Sequence, residues 1–98
     1  MDKVILINPF EVPEGEEEAA LGFWEQAADY MRRQPGFIST HLHKALSPDA
    51  RFAYVNIAEW ESAEHFEAAI SREEFKRLTE GSRERFPHYP ALYNVIRT

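Results

Sequence analysis

The chain has 98 residues, 44% of them hydrophobic and 13% aromatic, which is enough apolar material for one core and too little length for two, so residues 1–98 are expected to form a single domain. Eleven Lys and Arg against seventeen Asp and Glu give a net charge of −6, an acidic balance that repels phosphate backbones and anionic lipids and argues against nucleic-acid or membrane partners. The absence of cysteine removes disulfides, thiolate nucleophiles, iron–sulfur clusters and cysteine-ligated zinc, and fits a cytoplasmic protein. No apolar run approaches a membrane span, and the start Met1-Asp2-Lys3-Val4 lacks the apolar core of a signal peptide, so a soluble, unprocessed chain is expected.

In chain order, Val4 to Phe10 is a β-branched, apolar segment closed by Pro9, with Val4, Leu6 and Phe10 on one parity and Ile5 and Ile7 on the other. A strand covered on both faces has this pattern. Pro13 and Gly15 break it, and Glu16, Glu17 and Glu18 then sit where a helix dipole favours acids, opening a helix from about Gly15 to Gln34. Its buried stripe is read as Ala20, Phe23, Ala27, Tyr30 and Met31. Pro35-Gly36 ends the helix, and Phe37 to Leu46 is a strand with Ile38, Thr40 and Leu42 on one face and Ser39, His41 and His43 on the other. A turn around Ser47-Pro48-Asp49 leads to a third strand, Phe52 to Trp60, again largely apolar on both faces. Ser62 is the expected N-cap of a helix through about Ile70, and Ser71-Arg72-Glu73-Glu74 has the pattern of a capping box opening a further helical piece that Gly81 stops. Leu92 to Arg97 is the expected last strand.

The order β-α-β-β-α-β predicts an α+β, ferredoxin-like fold: a four-stranded antiparallel sheet with its helices on one face. The first and third strands are apolar on both faces, so the uncovered face needs a partner, and the simplest is a second copy. A homodimer formed sheet against sheet is expected.

Three polar or semi-polar side chains interrupt this apolar background. Asn8 and Asn56 fall inside apolar strands, where amides must find hydrogen-bond partners, and Trp60 projects from the same face as Asn56 two pleats on. The spacing fits amides satisfied within the sheet with Trp60 as core, and equally three donors converging on one apolar cavity. Three segments carry a wider pattern: Asn8-Pro9-Phe10, Gln34-Pro35-Gly36-Phe37, and Tyr54-Val55-Asn56-Ile57-Ala58-Glu59-Trp60-Glu61-Ser62. Through them the chain resembles, over nearly its whole length, the antibiotic biosynthesis monooxygenase (ABM) family, the dimeric α+β barrel group.

The resemblance implies a homodimer whose sheets pack into a barrel, with one pocket per subunit between sheet and helices. It implies oxidation of anthrone-type aromatics to quinones by molecular oxygen, without flavin, haem or metal, and Asn8, Asn56 and Trp60 occupy the positions of the implicated catalytic residues. The expected function is therefore a cofactor-independent monooxygenase acting on a small anthrone, phenol or hydroquinone-type substrate, with oxygen as co-substrate. Apolar substrate-binding walls are expected from Phe23, Leu42, Phe66 and Phe75. A non-catalytic module binding a small aromatic ligand on the same fold is the alternative. The sequence departs from the family pattern at Phe66, where one oxygenase has Tyr, and at Lys76, the nearest equivalent of an Arg. The haem-degrading branch is a weaker match, because Ala69 and Thr79 stand where its pocket Trp and axial His would be, and His65 falls on the wrong part of the helix.

His41-Leu42-His43 could offer two imidazoles to one metal, but a third ligand is not evident nearby and no metal site is expected. An imidazole could instead take the substrate proton, and the sequence leaves His41, His43, His65 and His88 open for that role. The Glu14 to Glu18 run reads as a solvated helix start, and the scattered glycines form no phosphate-cradling loop.

Overall fold

The fold is built on two apolar strands that pair in register, β1 (Val4–Phe10) and β3 (Tyr54–Trp60), in a computed structural model that describes residues 3–98. The initial Met1-Asp2, part of the segment read as lacking a signal peptide, lies outside the described residues. β2 (Phe37–Lys44) pairs with the outer edge of β3, and β4 (Ala91–Tyr93) with that of β1, giving an antiparallel sheet of order β2-β3-β1-β4. Helices α1 (Glu17–Arg32), α2 (Ala63–Ser71) and α3 (Glu73–Thr79) complete the expected ferredoxin-like order, the second helical region being two pieces. No helix among the described residues is long and apolar enough to cross a membrane.

Local chemistry explains most boundaries. Glu17 and Glu18 occupy the first turn of α1, and Gly36, at φ +86°, makes the turn into β2 and accepts a hydrogen bond from the Glu61 N–H through its carbonyl. Ser62 caps α2 by accepting from the His65 N–H at 3.2 Å. The capping box expected at Ser71 does not form: its hydroxyl donates back to the Glu67 carbonyl inside α2, and α3 starts without a side-chain cap.

Two strand expectations are corrected. A bulge between Phe37 and Ser39 puts Phe37, not Ile38, opposite Trp60 on the helix-covered face, after which Thr40 and Leu42 follow on that face as expected. β4 runs from Ala91 to Tyr93 rather than from Leu92 to Arg97, its pairing with β1 spanning Ile7↔Ala91 to Ile5↔Tyr93.

On the covered face, side chains stack in rows across β3 and β1. Ala58 and Leu6 form one row, Asn56 and Asn8 the next, and Tyr54 and Phe10 the third. The first row belongs to a core cluster with Trp60, Phe66 and Ala69; the third belongs to one with Ala20 and Phe86. The asparagine row therefore lies between two cores. On the other face Ile5, Ile7, Val55 and Ile57 share a parity with His41, His43 and Tyr93, and no element among the described residues covers them.

Candidate active site

The gap between the two cores is a cleft with two lobes. The larger, about 550 Å³, is lined by Asn8, Asn56, Trp60 and Phe66; the smaller, about 130 Å³, by Phe23, Leu42, Tyr54 and Phe86. Asn8, Phe10, Trp24, Ala27, Phe75, Arg83 and His88 line both, so the lobes share a wall. Ala27 and Ala28 of α1 and Ala58 of β3 line the larger lobe, and their small side chains leave space there.

The structure thus brings all seven candidate site residues to one cleft. Asn8, Asn56 and Trp60 meet in the larger lobe, joined by Phe66, while Phe23 and Leu42 reach only the smaller one and Phe75 serves both. Asn56, 8% exposed, is fixed by the Thr40 hydroxyl, which donates to its Oδ1 at 2.7 Å and leaves the amide nitrogen as the end free to donate. Trp60, 1% exposed, is held edge-on by Phe37 and Phe66, with ring centroids 5.4 and 5.6 Å away.

Two lining residues each hold a buried polar atom that is unpaired among the described residues: Trp60 Nε1 and Asn8 Oδ1. Leaving such a group unpaired costs about 1–3 kcal/mol, which a ligand atom of complementary kind would recover. As placed, one is a donor and the other, the Asn8 carbonyl oxygen, an acceptor. A ligand matching both carries an oxygen that accepts and a hydroxyl that donates.

The histidines divide clearly. His41 and His43 lie on the uncovered sheet face, away from the cleft. Ser62 Oγ lies 2.7 Å from His65 Nδ1, and the His65 ring packs against Gly36. His88 lines both lobes. Among the described residues no group of three His, Asp or Glu is placed to hold a metal ion.

Several lining residues escaped the sequence reading, Trp24, Thr40 and Arg83 among them. Trp24 follows Ala20 and precedes Ala27 and Met31 at steps of four, three and four, a stripe that would have found it. Thr40 gave no signal, because its partner Asn56 lies on another strand. Arg83, whose Nη2 donates to Thr79 Oγ1 at 3.2 Å, is the cleft's guanidinium; Lys76, the nearest basic equivalent by sequence, is exposed and lines neither lobe.

Residues 3–85 match the family model described as antibiotic biosynthesis monooxygenase. The chain belongs to this family. A structure that it resembles, of a candidate monooxygenase from Shewanella loihica PV-4, is 40% identical, with 98% of this chain and 96% of that one covered at a TM-score of 0.84. SnoaB, a cofactor-independent oxygenase from Streptomyces nogalater, is 26% identical over 100% of this chain and 97% of its own, at a TM-score of 0.83. A Bordetella bronchiseptica protein named for the same family, 18% identical with 100% and 99% coverage and a TM-score of 0.77, shares the fold. No match was found among curated proteins. Membership and these relatives support a monooxygenase-type function for this ABM chain.

Proposed function

We propose that the protein is a cofactor-independent monooxygenase that oxidises a small aromatic substrate of the anthrone, phenol or hydroquinone type with molecular oxygen. The observation that carries this reading is that Trp60 and Asn8, which line a mostly apolar cavity of about 550 Å³, each keep a buried polar atom without a hydrogen-bond partner among the described residues, Trp60 Nε1 and Asn8 Oδ1. A hydroxylated aromatic ketone supplies an acceptor for the indole N–H and a hydroxyl for the Asn8 carbonyl oxygen. The apolar walls take its rings, and exclusion of water strengthens each polar contact. SnoaB, similar over the full length of this chain, is described as cofactor-independent, which supports the same economy here.

The reaction balances without a reductant. A methylene group flanked by aromatic rings reacts with molecular oxygen to give a ketone and water: both C–H bonds break, one oxygen atom becomes the carbonyl, and the other leaves with the two hydrogens. The carbon loses the four electrons that the oxygen gains. Loss of a proton makes the substrate an electron-rich enolate able to reduce oxygen, so the protein's part is to bind, desolvate and stabilise that anion. The Trp60 indole N–H and the Asn56 amide, oriented by Thr40, are the donors for it.

The test is oxygen uptake by metal-free protein over a panel of anthrones and hydroquinones, with Trp60→Phe and Asn56→Leu alongside. Trp60→Phe keeps an aromatic ring and removes the N–H; losing one donor to a developing oxyanion is expected to lower kcat about 100–1000-fold. Uptake by the wild-type protein that neither variant diminishes would refute the site. No uptake across the panel, with a rise in melting temperature that follows ligand concentration, would make the protein a binder of small aromatics instead. The partner proposed for the exposed apolar sheet face is a second copy of the chain, as the resemblance to dimeric relatives suggests.

A further inference from the structure

We propose that His88 is the general base of this site, the residue that removes the substrate proton; the inference rests on the oxygenase reading above and deepens it. Of the four histidines, only His88 lines the cleft, and it lines both lobes. His41 and His43 are separated from the cleft by the sheet itself, and the His65 ring is held between Ser62 and Gly36.

The fold fixes where His88 stands. Its backbone bridges Phe10, two residues beyond Asn8 on the same face of β1, and its ring stacks on the Phe10 ring at 5.7 Å and 25°. Diagonal neighbours of this kind hold their side-chain bases about 7–8 Å apart, close to the width of one substituted aromatic ring. A ring bound between them would meet the Asn8 amide on one side and the imidazole on the other.

The ring's contact with the backbone favours one neutral tautomer. His88 Nδ1 lies 3.3 Å from the Phe86 carbonyl oxygen, which can only accept, so the neutral ring carries its hydrogen on Nδ1 and its lone pair on Nε2. In the step, Nε2 forms a bond to the proton of the substrate's acidic O–H or benzylic C–H. The electron pair of the broken bond stays on the substrate as the enolate, and the imidazolium keeps the proton until the product oxygen or water receives it.

The charged and titratable groups that share the cleft are Arg83 on both lobes, Glu67 of α2 on the larger and Tyr54 of β3 on the smaller. Arg83 favours the anion that the step creates. Glu67 is exposed and a carboxylate is a weaker base than an imidazole, and Tyr54 is absent from the lobe that holds Asn56 and Trp60.

The experiment compares kcat/KM across pH for the wild-type protein, His88→Gln and His88→Ala, each checked for native melting, and repeats the His88→Ala assay with added imidazole. The expected result is a fall of roughly 100- to 10,000-fold at neutral pH, loss of the decline toward acid that protonation of an imidazole base imposes, and recovery that rises with the concentration of free-base imidazole. Wild-type uptake that His88→Gln leaves within about twofold would overturn the role of His88 and leave the oxygenase reading standing. A loss of rate that imidazole does not restore, with the acid decline retained, would assign His88 to packing and overturn it too. Absence of wild-type uptake would remove the parent reading, and this inference with it.

Discussion

Tyr30 and Trp60 are the two large side chains most completely buried, each 1% exposed, and their polar atoms meet opposite ends. The Tyr30 hydroxyl donates to the Ala69 carbonyl at 2.7 Å, tying α1 to α2, whereas Trp60 Nε1 has no acceptor among the described residues. The first arrangement ties two helices together, and the second leaves the donor that the proposed function assigns to substrate. Tyr30→Phe is expected to cost about 1–2 kcal/mol, since the Ala69 carbonyl loses its partner, and to leave the cleft's donors in place. Burial raises the Tyr30 pKa above the ordinary 10.0, opposed most by Arg72. Because the folded chain holds this proton more tightly than the unfolded one, the contribution is whole below pH 10 and drains as pH rises through the folded value. Urea unfolding of both proteins from about pH 7.5 to about 11 checks this: the wild-type advantage should shrink above about pH 10. A constant gap would mean that the phenol does not titrate differently on folding.

At the scale of elements, the turn from α1 into β2 shows what one glycine decides. Gly36 has φ +86°, and a Cβ built there would fall on the Cβ and Cγ of His65, the near end of a side chain tied to Ser62. Gly15 has φ +85° but nothing within 4 Å of its would-be Cβ. The left-handed conformation alone costs about 1–2 kcal/mol for alanine. Gly15→Ala should show that cost and Gly36→Ala clearly more, which for a chain of this size means a melting temperature lower by upwards of roughly 8 °C at position 36. Equal shifts would show that His65 moves aside freely. Such turns were legible in the sequence, as Pro35-Gly36 is punctuation, and so were the element order and the parity that puts Asn8, Asn56 and Trp60 on one face. The Phe37–Ser39 bulge was not, because a bulge is a relation between two strands and leaves no mark in one of them. The same reason hid Thr40 behind Asn56 and His88 beside Phe10. The extent of β4 failed differently: Val95 and Ile96 have strand-like composition, but composition alone does not say where pairing with a neighbour stops, and β4 ends at Tyr93.

The whole molecule is a thin slab, 41 × 37 × 17 Å, as one sheet and one helical layer must be. The helical layer covers one sheet face and builds the cleft into it. The opposite face presents Ile5, Ile7, Val55 and Ile57 in adjacent rows, and Ile57 is 37% exposed and Tyr93 51%. A contiguous apolar sheet face of this kind is costly in water, and burying it against its own copy satisfies both subunits with one self-complementary patch. Ile57 sits near the middle of that face, between His41 on β2 and Ile7 on β1, and its side chain points away from the cleft. Ile57→Asp is therefore expected to place a charge in the seam of the proposed dimer, where two copies meet like charge against like. Sedimentation equilibrium should show the wild-type chain at twice its 11.4 kDa and the variant shifted toward monomer, by roughly a hundredfold or more in dissociation constant for a pair of unpaired buried carboxylates. The far-face location separates this outcome from damage to the site, since Asn56 and Trp60 lie close to position 57 in sequence but project through the opposite side of the sheet. A wild-type protein that sediments at 11.4 kDa over the micromolar range would remove the dimer and require another cover for the same four apolar side chains.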